Sequence, residues 1–148
     1  MRAAKHSAWV VILLAASLLP GCGKDSVGPE LREITGHWNA TKIEYVSKGT
    51  QERADLVALG GAGSLALEPD RSFLLVIAPP GDPPDSLAGA WELETDLLRL
   101  LPAPGGVVAF DAVLAGDKLT LTGADAAYDF DGDGTADPAK QNLELARQ

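Results

Sequence analysis

The stretch SLALEPDRSFLLVI, residues 64–77, holds the pattern that decides the fold. In residues 64–67 leucine alternates with Ser or Ala, and after the turn residues 68–71 large apolar residues return at every second position from Phe73. Side chains in a β-strand point alternately to its two faces. This period of two therefore predicts an antiparallel hairpin in which each strand has one apolar face.

The same signal recurs from residue 34 to residue 147, in short alternating runs separated by Gly, Asp or Pro, which favour turns. The apolar members of the further runs are Trp91, Leu93, Leu98, Leu100, Val108, Phe110, Ala112, Leu114, Leu119, Leu121, Tyr128, Phe130, Leu143 and Leu145. About eight to ten strands with short turns predict an all-β, antiparallel up-and-down meander. Closing it into a small barrel would leave no free edge.

A change of parity marks the first predicted strand, residues 36–48. Its apolar residues occupy even positions from Trp38 and odd positions up to Tyr45, so we expect a β-bulge or a bend near Lys42 that returns them to one face. The next segment, residues 54–59, is too short for its period to distinguish a helix from a strand, and both stay open.

The N-terminus has the pattern of a signal peptide. Basic residues at positions 2 and 5 precede an uncharged apolar run, residues 8–19. About a dozen apolar residues are too few for a helix that spans a bilayer, which needs about 20. The run ends at Gly21, directly before the only cysteine of the chain, Cys22. We therefore predict a signal peptide at residues 1–21.

The residues LLPGC, 18–22, resemble the lipobox of bacterial lipoproteins. The resemblance implies that the Cys22 thiol is alkylated by a diacylglyceryl group and that Cys22 becomes the first residue of the mature protein. The alternative is a signal peptide followed by an incidental cysteine. Residues 23–30, GKDSVGPE, have no apolar period, so residues 22–30 are predicted to be the lipidated cysteine and a flexible tether.

The lipobox resemblance also predicts the location. The protein would lie in the cell envelope, held at the membrane by its lipid anchor. Gly23 follows the cysteine, where an Asp would imply retention in the inner membrane. In an organism with an outer membrane, the expected destination is therefore the periplasmic face of that membrane.

Charge excludes one class of partner. The chain of 148 residues has 12 basic and 21 acidic residues, and without residues 1–21 it keeps ten basic and 21 acidic ones, a net charge of −11. Such a surface repels phosphate, so we expect no nucleic-acid partner, and attachment to a membrane must come from acyl chains. The remaining length suits a single domain, residues 31–148, which we expect to be a monomer.

Two G-x-W motifs carry a further resemblance. Gly36-His37-Trp38 resembles the motif that opens the first strand of lipocalins, and residues 89–100, GAWELETDLLRL, are similar to the hairpin repeated in bacterial lipocalin-like lipoproteins. The resemblance covers most of residues 34–147 and implies a lipocalin-like β-barrel. It also implies that Trp38 packs across the closed end of the barrel under a basic side chain of the last strand, for which Arg147 is the candidate.

No motif nominates a catalytic residue. The chain lacks a phosphate-binding Gly-Lys loop, an H-E-x-x-H pair and a G-x-S-x-G elbow. His37 is the only histidine after the predicted signal peptide, and its place beside Trp38 favours a structural or exposed role. We therefore predict that the protein is not an enzyme.

The acidic loop DFDGDGTAD, residues 129–137, resembles D-x-D-x-D-G calcium loops. Its candidate calcium ligands are Asp129, Asp131, Asp133, Thr135 and Asp137. Lys140 stands where an EF-hand has its bidentate glutamate, so we expect a weak site. The alternative is an Asp/Gly-rich hairpin turn that holds no metal.

Two functions of different classes remain. An eight-stranded barrel has an interior that is either filled by side chains or holds one small ligand. The leading hypothesis is a lipid-anchored lipoprotein whose barrel binds a small apolar or amphipathic ligand. The rival is a structural or interaction lipoprotein with a filled barrel, with calcium at the acidic loop as an optional stabiliser, whose loops, such as residues 79–85, contact another envelope component. The aromatic set Phe73, Trp91, Phe110 and Tyr128 forms the core in one case and lines the ligand in the other.

Overall fold

The computed structural model describes residues 30–148. The predicted signal peptide, Cys22 and all but the last residue of the tether lie outside these residues, so those assignments stay predictions. The elements are α1 (Leu31–Ile34), β1 (Gly36–Ser47), β2 (Arg53–Asp55), β3 (Ala62–Leu67), β4 (Ser72–Ala78), β5 (Asp85–Glu94), β6 (Leu97–Pro102), β7 (Val108–Ala115), β8 (Lys118–Tyr128) and β9 (Asp137–Arg147). No helix within residues 30–148 is long and apolar enough to cross a bilayer.

The strands form a closed antiparallel barrel. β3 to β9 pair in sequence order, β3 pairs with β1, and β9 closes the barrel by pairing with β1 from Trp38↔Arg147 to Ser47↔Ala139. This confirms the predicted up-and-down, lipocalin-like fold, with eight strands in the barrel. β2 is an additional short strand on the edge of β1 that β3 leaves unpaired. It answers the question left open for residues 54–59, which end β2 and then form a turn.

Two bulges adjust the strands that flank β9. The register of β1 against β9 shifts between Ala40 and Lys42, which confirms the predicted bulge. A second shift, between Leu121 and Ala124 of β8, was not predicted. The Asn142 side chain supports it, because its amide oxygen accepts a hydrogen bond from the backbone N–H of Gly123 at 2.9 Å.

The outer face beside this bulge carries a buried carboxylate. Glu44 accepts hydrogen bonds from Arg53 of β2 at 3.2 Å and from Asn142 at 3.1 Å, and it lies 2.9 Å from the Lys42 ammonium group. Burial alone would raise the pKa of Glu44, but these partners outweigh it and lower the pKa. The network therefore ties β2 to β1 and β9.

The two ends of the barrel differ in their connections. At one end the turns are short, residues 68–71, 95–96 and 116–117, and α1 and the end of β9 lie beside them. We call this the closed end. At the other, the open end, the connections are longer, residues 48–52, 79–84, 103–107 and 129–136.

The core fills the closed half. Its fully buried large side chains are Trp38, Trp91, Phe110, Ile34, Ile43, Leu65, Leu67, Leu98, Leu100, Leu119, Leu121 and Leu143. Phe73 is also buried, so three of the four aromatic residues singled out in the sequence belong to the core. Tyr128 is only partly buried and packs against the core from the open end.

Two strand limits differ from the sequence prediction. β8 ends at Tyr128, so Phe130 lies in the acidic loop and not in a strand. Asp85 was assigned to the Pro-rich loop but is the first residue of β5. Its pairing with Ile77 of β4 begins the ladder, which places a carboxylate at the start of a barrel strand.

Candidate functional site

A tryptophan and an arginine plug the closed end. Trp38 is fully buried, and its indole N–H donates to the carbonyl oxygen of Ile34 at 2.9 Å. The Arg147 guanidinium lies 4.2 Å from the centroid of the Trp38 ring, and its N–H groups donate to the carbonyl oxygens of Thr35 at 3.0 Å and Glu33 at 2.5 Å. This confirms the arrangement that the lipocalin resemblance implied for Trp38 and Arg147.

A steric constraint explains the glycine of the first G-x-W motif. Gly36 has a φ of +131°, and a Cβ atom at this position would lie 2.9 Å from Nη1 of Arg147. Glycine therefore allows the arginine to reach over Trp38. In the second motif a Cβ on Gly89 would collide with the carbonyl oxygen of Leu101, and Trp91 donates its indole N–H to the carbonyl of Glu68 at 3.0 Å.

The open half of the barrel contains a cavity of about 230 Å³. Its lining combines aliphatic and polar residues: Leu75, Ile77, Asp85, Ser86, Leu87, Val108, Asp125 and Gln141. An apolar surface with a few polar groups is the usual composition of a small-molecule site. The cavity is therefore the candidate functional site.

Short strands create this cavity. β6 ends at Pro102, which pairs with Gly89, and β7 begins at Val108. Residues 85–88 of β5 and residues 124–128 of β8 extend further toward the open end, without a β6 or β7 partner. The barrel wall has a gap between these two extensions, and the cavity is lined by residues on both sides of it.

Gln141 places an amide group against the cavity. It is only 7% exposed, and its side-chain N–H donates to the Tyr45 hydroxyl at 2.8 Å. Its amide oxygen accepts no hydrogen bond from any side chain or backbone group within residues 30–148. No fully buried side-chain oxygen or nitrogen within residues 30–148 lacks a partner, so this oxygen is accessible and can accept a hydrogen bond from a ligand or water in the cavity.

An aromatic cluster stands beside Gln141 at the open end. The rings of Tyr45 and Tyr128 stack with centroids 4.8 Å apart, and Phe130 packs edge-on against Tyr128 at 5.0 Å. Burial raises the pKa of the Tyr45 hydroxyl, the hydrogen bond from Gln141 opposes this rise, and the charges of Tyr128 and Asp85 add to it. The Tyr45 hydroxyl therefore stays protonated at neutral pH.

The two carboxylates that line the cavity differ in their partners. Asp125 lies 2.7 Å from the ammonium groups of both Lys48 and Lys140. Hydrogen bonds from Lys140 and Lys48 lower the pKa of Asp125 to about 2. Asp85 has no basic side chain within 4.0 Å among the residues that the structure describes. Asp85 is exposed, and its carboxylate has no direct ionic partner at this site.

The acidic loop brings three of its predicted ligands together. Asp129, Asp131 and Asp133 each offer a carboxylate oxygen, and these oxygens lie within 4.8 Å of one another. Hydrogen bonds from the backbone, the first from Gly134 at 2.9 Å, lower the pKa of Asp129. The group has the donor chemistry of a calcium site.

Of the other two candidate ligands, Thr135 contacts this group through its backbone, and Asp137 is not part of it. Thr135 donates its backbone N–H to Asp133 at 2.7 Å, and Asp137 begins β9. Lys140, expected to oppose calcium, instead donates to the carbonyl oxygen of Gly123 at 2.9 Å and pairs with Asp125. Its ammonium group is therefore engaged with β8 rather than with the loop.

His37 has an exposed position, as predicted. Its side chain is 60% exposed and lies 3.1 Å from the carboxylate of Glu68. The pair joins β1 to the turn after β3 on the outside of the barrel.

An uncharged outer face supports the rival hypothesis. The outward residues of β3, β4 and the centre of β5 are Ser64, Ala66, Ser72, Leu74, Val76, Ala78, Ser86, Ala88 and Ala90. Leu74 is 44% exposed. Exposed apolar surface of this kind occurs at protein interfaces.

Sequence reasoning missed Asp85 and Gln141. The signal was parity: counting back in twos from Trp91 places Asp85 on the inner face, and one such step back from Leu143 places Gln141 there. Gln141 is buried at its inward position, whereas Asp85, at the start of its strand, is exposed.

Comparison with known proteins adds no family. No protein-family model matches the chain, and no curated protein shows significant similarity to it. The functional assignment therefore depends on the cavity and on the sequence motifs.

Proposed function

We propose that the protein is a lipid-anchored envelope lipoprotein whose monomeric barrel binds a small apolar or amphipathic ligand without catalysis. The observation that carries the binding part is the cavity of about 230 Å³, with aliphatic walls and the free amide oxygen of Gln141. At roughly 30 Å³ for each water-sized group, this volume suits a ligand of about eight non-hydrogen atoms. It lies below the usual range of drug-sized pockets, about 300 to 1,000 Å³.

The experiment is a saturation-transfer NMR screen of six-carbon alcohols, amines and acids against the purified protein. Leu75→Phe adds volume at an inward position of the cavity and is expected to abolish binding. Leu74→Phe is the matched control, because the neighbouring side chain points outward. Binding that is lost equally in both variants, or absent from the natural protein, would contradict the proposal.

The anchoring part is supported by the LLPGC motif at residues 18–22 and by the acidic surface, which gives no other means of attachment to anionic lipid. The proposed site is Cys22, at the periplasmic face of the outer membrane where the organism has one. Cys22→Ser should abolish incorporation of labelled palmitate. Label in the mutant protein would refute the lipobox assignment.

The second candidate function is a structural or interaction lipoprotein. The uncharged outer face of β3 to β5 favours it, because a partner that buries Leu74 and Val76 would remove apolar surface from water. Leu74→Glu distinguishes the two candidates. It should disrupt such a contact and leave ligand binding in the cavity unchanged.

Calcium at the acidic loop is a finer proposal that either function allows. Asp129, Asp131 and Asp133 provide the converging carboxylates, with Thr135 and Asp137 as the further loop candidates. Few ligands and the exposure of Asp131 and Asp133 predict a weak site, with a dissociation constant of about 10⁻⁴ to 10⁻³ M.

A further inference from the structure

The inner face of β5 begins with a charge. Asp85 has the parity of Leu87 and Trp91, and it pairs across the sheet with Ile77, another cavity residue. Other inward positions of the neighbouring strand are apolar, such as Leu75. A carboxylate at this position contributes nothing to an apolar core and has no cation beside it within residues 30–148. It is therefore placed to interact with the contents of the cavity.

Three polar groups that line the cavity lack a partner within residues 30–148: two are acceptors, and the third, the Ser86 hydroxyl, can accept or donate. The Asp85 carboxylate can only accept hydrogen bonds, and the free atom of Gln141 is its amide oxygen. Asp125 is already occupied by Lys48 and Lys140. A ligand that complements the site therefore needs a hydrogen-bond donor, and a positive charge on that donor would be favoured over a negative one.

The loops around the open end are also negatively charged. Carboxylates at the open end include Asp82, Asp129, Asp131, Asp133 and Asp137. Lys48 and Lys140 share the single carboxylate of Asp125, so this group has a net charge of +1, which these five carboxylates outnumber. An acidic rim of this kind raises the local concentration of cations and repels anions such as fatty acids.

We propose that the cavity binds a small amphipathic primary amine. The alkyl chain lies against Leu75, Ile77, Leu87 and Val108, and the ammonium group lies at Asp85 with the Gln141 oxygen as a second acceptor. This inference rests on the proposed ligand-binding function and names its ligand class.

The test is a set of calorimetric titrations of the purified protein with n-hexylamine, 1-hexanol and hexanoate at pH 7. Each has a six-carbon chain, and the charge of the head group changes from positive to neutral to negative. We expect hexylamine to bind about tenfold more tightly than hexanol, as a charge-assisted hydrogen bond predicts, and hexanoate to bind most weakly. Equal affinities for all three would overturn the amine inference and leave ligand binding intact, whereas no binding of any would overturn the proposed function itself.

Two charge-removing variants locate the effect. Asp85→Asn should weaken hexylamine about tenfold and leave hexanol unchanged. Asp82→Asn removes the same charge from the neighbouring exposed loop, outside the cavity lining, and should change both affinities by less than about twofold. An equal loss of hexylamine affinity in the two variants would mean that the effect comes from the overall negative charge of the open end. That result would overturn the role of Asp85. Asp85→Glu keeps the charge and should keep the preference for the amine.

Discussion

The strands β1 and β9 contribute to both halves of the barrel, but they supply different chemistry to each. β1 carries Trp38 at the closed end and Tyr45 toward the open end, and β9 carries Arg147 and Gln141 in the same way. At the closed end the tryptophan indole donates to one backbone carbonyl and the arginine guanidinium to two. At the open end the Gln141 oxygen and Asp85, on β5, have none within residues 30–148.

The difference separates stability from function. Polar groups with satisfied partners and tight packing stabilise a fold, whereas accessible polar groups without protein partners around a cavity are available to a ligand. Substitutions at the closed end should therefore lower the stability of the fold more than substitutions at the open end. The predictions below test this contrast.

The largest effect is expected at Trp38. Trp38→Ala removes a fully buried side chain and should lower the free energy of unfolding by about 3 to 5 kcal/mol, measured by chemical denaturation. A loss below about 1 kcal/mol would mean that the closed end is not the stable half.

A smaller effect is expected at the two arginines that lie over tryptophan rings. Arg147 lies 4.2 Å from the Trp38 ring and donates to two carbonyl oxygens, whereas Arg71 lies 5.2 Å from the Trp91 ring. Arg147→Ala should cost about 1 to 3 kcal/mol and Arg71→Ala less than about 1 kcal/mol. Equal losses in denaturation experiments would contradict the special role of the closed-end arginine.

A pH series compares the two cavity carboxylates. The pKa of Asp125 falls from 3.8 to about 2 in the folded protein, so its pairing stabilises the fold above pH 4 and this contribution is lost as the pH falls through 2. Asp125→Asn should lower the melting temperature at pH 7 and converge with the natural protein near pH 2. Asp85→Asn, without a basic partner to lose, should not lower it at either pH. A larger fall in melting temperature for Asp85→Asn than for Asp125→Asn would contradict the view that Asp125 is the paired carboxylate.

The smallest effect is expected at the acidic loop. With a dissociation constant of about 10⁻³ M, several millimolar calcium should raise the melting temperature by only a few degrees through binding to the folded state. Asp131→Asn combined with Asp133→Asn should abolish this rise and preserve the fold in chelator, because both side chains are exposed in the loop. An equal rise in the double variant would leave the loop as a hairpin turn.

Much of the barrel follows from local patterns in the sequence. The alternation around Phe73 predicts a hairpin because strand geometry has a period of two, and the parity change between Trp38 and Tyr45 predicts a bulge for the same reason. The position of Arg147 over Trp38 came from resemblance to lipocalins, since no local rule brings residues at opposite ends of the domain together.

The cavity could not be predicted in this way. It exists because β6 and β7 are shorter than β5 and β8, and strand length at a barrel rim depends on pairing with distant neighbours. The unpredicted bulge before Ala124 also sets which residues of β8 face the cavity. Lys140 shows the same limit of local prediction. Its position in the loop predicted that its charge would repel calcium, but in the fold its ammonium group contacts Asp125.

The most direct test of the contrast between the two halves is a nitrogen-15 NMR titration of the protein with n-hexylamine. One spectrum contains the side-chain amide of Gln141 in the cavity and the indole N–H of Trp38 at the closed end. Binding in the open half predicts that the Gln141 amide shifts and saturates while the Trp38 indole stays unchanged. An unmoved Gln141 amide, or an equal shift of the Trp38 indole, would contradict the account.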